Sequence, residues 1–458
     1  MAPRRFGTAG LRGRIGEEIT PGLAARLAQA YGEWIRSRHS ARPAALVAHD
    51  PRRDGPALAR AAAEGFAAAG LDARLLGVLP TGPFSLAVAR SGAAGGLLVT
   101  GSHLPPDRTG LLLLTADGAV APYAVTDRVE ALLDADLRPV PPSERGSLEE
   151  SPPPLEAYFD EILRAVDAPA LRARRFRLLL DPANGAACGI APELFRRLGC
   201  AVEVLHGDPR PIPERPSEPR AHTVAAASRR LREIRGDLGA CFDVDADRVL
   251  FLDAGGTPLG EDAVGALFAL HTLSPGDAAV APVNTSGVLE ETCRRIGARL
   301  ESCAVGQPSI VQALRDHGAS FACEESGKYW FARRFPWSDG LHATARLLEI
   351  MARMGKTAGE LLAALPRFHH VRRRVPLDGS LRGDFLQTLA GRLRTTLVEG
   401  RRRDVTIDGF KRIYEDGAWL LFRPSGTEPV VRVHADAPSR ERAEALAAAG
   451  EALLRECL

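Results

Sequence analysis

Three carboxylates at alternate positions, Asp243, Asp245 and Asp247, are followed directly by Arg248 in the segment Asp243-Val-Asp-Ala-Asp-Arg248. In an extended backbone such side chains project to one side, and the acids would repel one another unless a cation lay between them. Oxygen ligands alone, with no Cys or His beside them, suit a hard divalent ion such as Mg2+ and not zinc. Arg248 adds a fork for an anion next to that metal, and metal plus arginine points to phosphate chemistry. The competing reading is a solvated acidic turn. The flanking runs Leu238-Gly-Ala-Cys-Phe242 and Val249-Leu-Phe-Leu252 read as buried strands and weigh against it.

Four other segments carry reactive or ligand-binding side chains. Thr100-Gly-Ser-His-Leu-Pro-Pro-Asp-Arg-Thr-Gly110 follows the apolar run Gly96-Leu-Leu-Val99, which places Ser102 just past a strand's carboxyl end, where α/β sheets hold ligands. Ser102 beside His103 is a nucleophile, a phosphorylated residue or part of an ordinary polar turn. In Arg423-Pro-Ser-Gly-Thr-Glu-Pro429, with Arg432 beyond it, Ser425, Gly426 and Thr427 between two arginine forks make a phosphate cradle. A plain Gly-Thr turn would explain the glycine and leave the arginines idle. Cys323-Glu-Glu-Ser-Gly-Lys328 offers Glu325, Ser326 and Lys328 to adjacent hydroxyls of a sugar, although a capped helix start or a surface turn has the same composition. Phe6-Gly-Thr-Ala-Gly-Leu-Arg-Gly13 is spaced by glycines but follows no strand, so it is not a dinucleotide fingerprint; Arg12 is its chemical content, or else a surface arginine on a tight turn.

The chain that must position these groups has 458 residues, 45% of them hydrophobic, too long for one core and enough for about three or four domains. Its net charge of +2 leaves no one-signed field that would argue for nucleic acid or a membrane surface as partner. Lys328, Lys356 and Lys411 are the only lysines. The seven cysteines, at 188, 200, 241, 293, 303, 323 and 457, are odd in number and scattered without a Cys-x-x-Cys pair, and the opening Met-Ala-Pro-Arg-Arg has no apolar signal region. Reduced thiols and a cytoplasmic protein are expected, and no apolar run approaches the ~18 residues of a membrane span.

Strand–helix–strand units begin at Ala44-Leu-Val-Ala-His49, at Phe176-Arg-Leu-Leu-Leu-Asp181 and at Ala278-Val-Ala-Pro-Val283, which predicts parallel or mixed sheets in α/β layers. The Pro-rich stretch 138–154 and the turn Asp253-Ala-Gly-Gly-Thr-Pro divide these units. Beyond about residue 368 the texture becomes α+β, with strands expected at Val371–Val375, Val405–Ile407, Trp419–Phe422 and Val430–Val433 and a terminal helix. The expected domains are 1–150, 151–253, 254–367 and 368–458.

Taken in order, the five segments resemble the α-D-phosphohexomutase superfamily over essentially the whole chain. Phe6–Gly13 is similar to its opening F-G-T-x-G-x-R-G, Thr100–His103 to the phosphoserine loop T-A-S-H-N-P, and Asp243–Arg248 to the metal loop D-G-D-x-D-R. Glu325–Gly327 is similar to the sugar loop G-E-x-S-G-H, and Arg423–Pro429 to the phosphate loop R-P-S-G-T-E-P. Asp50-Pro-Arg52, Pro80-Thr81, Asn184-Gly185 and Asp339-Gly340 agree as lesser marks. The resemblance implies three related α/β domains and a smaller α+β domain around a central cleft, and a Mg2+ enzyme, a monomer or homodimer, that interconverts 1-phospho and 6-phospho sugars through a hexose 1,6-bisphosphate. It implies that Ser102 carries the phosphoryl group and joins Asp243, Asp245 and Asp247 on the metal, with Arg12, His103 and Arg248 in catalytic support. Glu325, Ser326 and Lys328 would meet the sugar, and Arg423, Ser425, Gly426, Thr427 and Arg432 the phosphate that is not reacting.

The chain departs from the pattern in four places. Leu104 stands for the Asn after Ser-His, and Thr109-Gly-Leu-Leu112 lacks the lysine that ends N-G-x-K. Lys328 stands for the sugar-loop His, and Gln307 for the basic or His residue that often follows the Val-Gly pair. The expected activity is of the phosphomannomutase/phosphoglucomutase type, with phosphoglucosamine mutase, a more distant phosphopentomutase-like activity and a non-catalytic sugar-phosphate-binding paralogue as alternatives.

Overall fold

A computed structural model describes residues 5–376, 385–393, 395–425 and 429–457. They form two compact units, one made of Met1–Glu261, Gln307–Gln312 and Ser326–Leu361 and the other of Asp262–Gly306, Ala313–Glu325 and Leu362–Leu458.

The first unit opens with strands β1 (Leu11–Arg14), β2 (Ala44–His49), β3 (Asp72–Val78), β4 (Gly95–Val99), β5 (Arg108–Thr115) and β6 (Leu148–Glu150), in the order β1-β5-β4-β2-β3-β6. β4, β2, β3 and β6 are parallel; β5 runs against them, and β1, antiparallel to β5, runs with them. The chain leaves β2 toward β3 on one side and later returns to β4 on the other. The carboxyl ends of β2 and β4 therefore flank the switch point where open α/β sheets bind ligands, with Asp50 following one strand and Thr100-Gly-Ser102 the other.

A second sheet holds β7 (Arg177–Asp181), β8 (Ala201–Val204), β9 (Leu238–Phe242) and β10 (Val249–Leu252) in the order β10-β9-β7-β8. β9 and β10 form an antiparallel hairpin with Val249 opposite Phe242, so residues 243–248 close its end. Both strands are wholly buried, as their unbroken apolar runs require.

In the second unit β11 (Ala278–Pro282) lies between β12 (Arg299–Cys303) and β13 (Phe321–Glu324), parallel to both. The hairpin of β14 (Lys328–Phe331) and β15 (Phe335–Ser338) belongs to the first unit. The chain ends in an antiparallel sheet of β16 (His369–Pro376), β17 (Arg401–Val405), β18 (Phe410–Tyr414), β19 (Trp419–Pro424) and β20 (Val430–Ala437), in the order β16-β20-β19-β18-β17. Val375, Leu420, Phe422, Val431 and Val433 on one face pack with Leu446, Ala447 and Leu454 of the helix Arg440–Cys457.

The architecture is thus α/β units with mixed sheets followed by a small β-rich domain. Three local expectations change. The strand expected at Val405–Ile407 is instead Arg401–Val405, whose arginines hid it from an apolar pattern. β18 was hidden for the same reason: Lys411 lies over the Trp419 ring at 4.1 Å, and Arg412 is buried in a two-armed bond to Asp404 at 2.8 and 2.9 Å. Leu11–Arg14, within and beyond the glycine-spaced opening, is itself a strand, with Arg12 opposite Gly110. All seven cysteines are free, and among the described residues no helix is long and apolar enough to cross a membrane.

Candidate active site

Residues 243–248 turn where an extended backbone was expected. Ala246 adopts the left-handed conformation at φ 52°, and the turn, not strand alternation, brings the acids together. One oxygen from each of Asp243, Asp245 and Asp247 lies within 4.8 Å of the others, and none of the three residues is more than 2% exposed. Donors hold part of each carboxylate. Arg248 N donates to Asp243 Oδ1 at 3.2 Å, Thr100 Oγ1 to Asp245 Oδ2 at 2.9 Å, and both Lys328 Nζ (2.6 Å) and Gln307 Nε2 (2.9 Å) to Asp247 Oδ2. Asp245 Oδ1 and Asp247 Oδ1 are buried with no hydrogen bond. Buried acceptors left bare are costly, and a divalent cation would satisfy both.

Electrostatics point the same way. Burial, then the charge of Asp247, pushes Asp243 up to about 6, and burial with both neighbours raises Asp245 further. Burial works upward on Asp247 too, yet Lys328 and Arg248 outweigh it and hold that carboxyl below its usual range. Clustered acids strained in this way fit Mg2+ by donor type and by charge.

Ser102 faces this cluster. Its Oγ donates to Asp243 Oδ2 at 2.8 Å and lies 3.5 Å from His103 Nδ1, and its own backbone is left-handed at φ 46°. Burial, with Arg248, Arg12, Lys328 and Arg220 around it, holds His103 far below the usual histidine range, so the ring stays neutral. Arg12 is mostly buried and feels Arg248 and all three aspartates; burial first, then Arg248, lowers its pKa. Arg248 reaches Asp243 at 3.5 Å and donates to Glu218 at 3.2 Å, and Glu218 also accepts from Arg220 at 2.8 Å. The first unit thus gathers Arg12, Ser102, His103, the three aspartates, Arg248 and Lys328. Lys328, expected at a sugar hydroxyl, is 1% exposed and ion-paired with Asp247.

The remaining expected residues lie elsewhere. Ser326 is half-buried in the first unit; Glu325 belongs to the second and pairs with Arg372. In the terminal sheet Arg423 Nε donates to Asp408 Oδ2 at 2.8 Å, and Arg432 reaches Ser425 Oγ at 3.4 Å. Gly426 and Thr427 lie outside the described residues. Arg423 stands opposite Arg432 across β19 and β20, and Arg432 opposite Arg374 across β20 and β16, so three guanidinium groups share one face. Like charges set side by side in a sheet are unfavourable until an anion lies among them.

Sequence reasoning passed over Arg52, Glu218 and Arg374. Arg52 stands only among the lesser marks, Glu218 sits in a Pro-rich stretch, and Arg374 lies within the strand expected at Val371–Val375. The signal available for Arg374 was its place in a predicted strand, but register with β20 is a property of the fold.

Family models for phosphoglucomutase/phosphomannomutase match along the chain: alpha/beta/alpha domain I at residues 3–138, domain II at 156–256, domain III at 260–368 and the C-terminal domain at 385–452. A phosphoglucomutase/phosphomannomutase of Thermococcus kodakarensis is 32% identical over 99% of both chains. The chain belongs to the phosphoglucomutase/phosphomannomutase family. A probable phosphoglucosamine mutase of Methanopyrus kandleri is also 32% identical, over 99% of this chain and 98% of its own. Among solved structures, a phosphoglucomutase/phosphomannomutase family protein of Burkholderia thailandensis superposes with a TM-score of 0.86 at 28% identity, covering 99% of this chain and 97% of that one. The family is one of phosphomutases, and the Asp243–Asp247 cluster offers it a set of oxygen ligands that could hold a metal ion.

Proposed function

We propose that this family member is a cytoplasmic phosphohexomutase that interconverts the 1-phosphates and 6-phosphates of mannose and glucose, with Ser102 as carrier of the phosphoryl group. The observation that carries the reading is Ser102 Oγ at 2.8 Å from Asp243, inside a buried triad with two bare carboxylate oxygens. A purely binding protein gains nothing from a hydroxyl held there.

In the first half-reaction the bond between the phosphorus and Ser102 Oγ breaks as a sugar hydroxyl takes the phosphoryl group, giving a hexose 1,6-bisphosphate. In the second, Ser102 Oγ attacks the other phosphate, the bond between that phosphorus and its sugar oxygen breaks, and the proton that the sugar hydroxyl gave up in the first half-reaction is returned to the freed oxygen, so the product leaves with its phosphate transposed. Asp243, Asp245 and Asp247 would hold Mg2+ with an oxygen of the phosphoserine; when bound, it neutralises charge on the transferring group. Arg12 and Arg248 place positive charge beside the same oxygens, and neutral His103 offers Nδ1 as a hydrogen-bond partner without adding charge. Lys328 and Gln307 fix Asp247, and Lys328 is close enough to the reacting groups for its loss to slow turnover. Glu325 and Ser326 would take the sugar's third and fourth hydroxyls. Arg423, Ser425, Gly426, Thr427 and Arg432 would grip the phosphate that is not reacting, with Arg374 beside them.

The name of the Methanopyrus kandleri relative favours a second reading, phosphoglucosamine mutase, because contacts to the third and fourth hydroxyls do not sense the second carbon. Intact-mass analysis of purified protein, followed by turnover of glucose, mannose and glucosamine 1-phosphates, separates the readings. A phosphate on Ser102 with fastest turnover of glucose or mannose supports the first. Preference for glucosamine selects the second, and absence of both phosphate and turnover removes both.

A further inference from the structure

The loop that carries Ser102 is built around a side chain from another strand end. Arg52 lies just past β2, is 3% exposed, and places its guanidinium inside the loop. Nη1 donates to Pro105 O at 2.7 Å and to Arg108 O at 2.5 Å; Nη2 donates to Leu104 O at 2.7 Å and to Ser102 O at 3.3 Å. Nε faces Asp50 Oδ2 at 3.3 Å, the oxygen that accepts from Gly101 N at 2.8 Å. One planar fork thus gathers four carbonyls of a single loop, which the point charge of a lysine has no geometry to do.

The loop requires such restraint. Ser102 at φ 46° occupies a region that is costly for a non-glycine residue and persists only when its surroundings over-determine it. Its N–H is held by Thr100 Oγ1 at 2.9 Å and its carbonyl by Arg52, so both sides of the strained residue are tied. Gly101 completes the fit: a Cβ there would lie 2.1 Å from Arg52 Cζ and 2.3 and 2.4 Å from Nη1 and Nε, its three nearest atoms. Glycine stands where the related loop motif has alanine, so loop and guanidinium fit here as a pair.

We propose that Arg52 is a positioning residue for phosphoryl transfer, locking the strained turn so that Ser102 Oγ stays against Asp243 through both half-reactions. The inference rests on Ser102 being the phosphoryl carrier. Arg52→Lys keeps the charge and removes the fork; kcat should fall about 100-fold, the scale of an ångström-sized misplacement, with KM within about threefold of wild type. Mg2+ affinity measured by calorimetry should be unchanged, because no metal-site carboxylate touches Arg52. Gly101→Ala, which leaves Arg52 in place and displaces its head, should lose a similar factor, and adding it to Arg52→Lys should cost little more. Arg52→Ala should regain rate with millimolar guanidinium. A kcat within about threefold of wild type in Gly101→Ala, or in folded Arg52→Lys, overturns the proposal. A wild type with no phosphate on Ser102 and no turnover removes the mutase reading and this inference together, whereas a competent wild type with undiminished variants removes this inference alone.

Discussion

The carboxylate loop at 243–248 and the arginine face of the terminal sheet are unbalanced in opposite senses. In the loop, three buried acids have donors on some oxygens and none on Asp245 Oδ1 and Asp247 Oδ1. On the sheet, Arg374, Arg432 and Arg423 stand in adjacent register, and Asp408 holds one of them. One region concentrates negative charge and the other positive. The three aspartates are each at most 2% exposed, while Arg423 is 16% exposed and ion-paired with Asp408, a carboxylate that phosphate would replace on the proposed reading. A reacting centre gains from preorganisation, and a site that must grip and release a phosphate gains from a replaceable partner.

The largest break in that contrast is Ser102→Ala, which should lower mutase activity by roughly 10^4-fold or more and leave no phosphorylated protein by intact mass. Wild-type rates in that variant would sink the relay.

Asp245→Asn should weaken Mg2+ binding and slow phosphoryl transfer about 10^2- to 10^3-fold, measured by calorimetry and steady-state kinetics. The same change should raise the melting temperature in EDTA at neutral pH, because a carboxyl whose pKa is raised by burial and its acidic neighbours destabilises the fold above its ordinary range. An EDTA-insensitive wild-type rate would show that the triad is not a metal site.

On the sheet, Arg423→Ala and Arg432→Ala should each lose about 1.5–3 kcal/mol of charge-assisted bonding and raise KM for sugar phosphates about 10- to 150-fold, while Ser102 remains phosphorylated. Unaltered KM in both would mean that the arginine face serves packing alone. Between the two regions in size, Lys328→Arg should lower kcat about tenfold at an unchanged melting temperature, since a rigid fork cannot reproduce the compact ammonium held by Asp247. Equal rates in Lys328→Arg and Lys328→Met would reduce that lysine to a buried counter-charge.

The smallest effect is on pH dependence and should appear in one region only. Asp243 is raised to about 6, so between the ordinary carboxyl range and pH 6 the metal-free site holds a proton that Mg2+ must displace. Thermal stabilisation by Mg2+, taken as the difference from EDTA, should be small at pH 5 and grow as pH rises through 6, whereas stabilisation by a sugar 6-phosphate should lack that step. A flat Mg2+ difference across the window would contradict the raised pKa.

Chemistry was more legible in the sequence than geometry. The acids at 243, 245 and 247 announced a cation site by charge alone, but the left-handed Ala246 that gathers them belongs to no periodic pattern. The strand–helix–strand repeats showed the sheets, because β2, β4, β7 and β9 each carry an unbroken apolar run. β17 was obscured by its run of exposed arginines, and β18 because Lys411 and Arg412 are buried there by partners, Trp419 and Asp404, that only the folded sheet supplies. Lys328 was noticed for its rarity and its loop; that it points to Asp247 depends on the β14 and β15 hairpin, which spacing does not encode.

Within the second unit, Asp436 of β20 accepts from Gly287 N at 2.9 Å, at the start of the helix Gly287–Arg295, and is fully buried. The helix lies in the stretch matched by the third domain model, and the carboxylate that tethers its first amide lies in the stretch matched by the fourth. Modules inherited as separate pieces of sequence need not be separate pieces in folding. A chain cut near residue 368 would leave one fragment with a frayed helix and the other with an aspartate that has lost its amide donor and a Trp419 cluster that has lost Val283, so the two halves of this unit are expected to live or be degraded together.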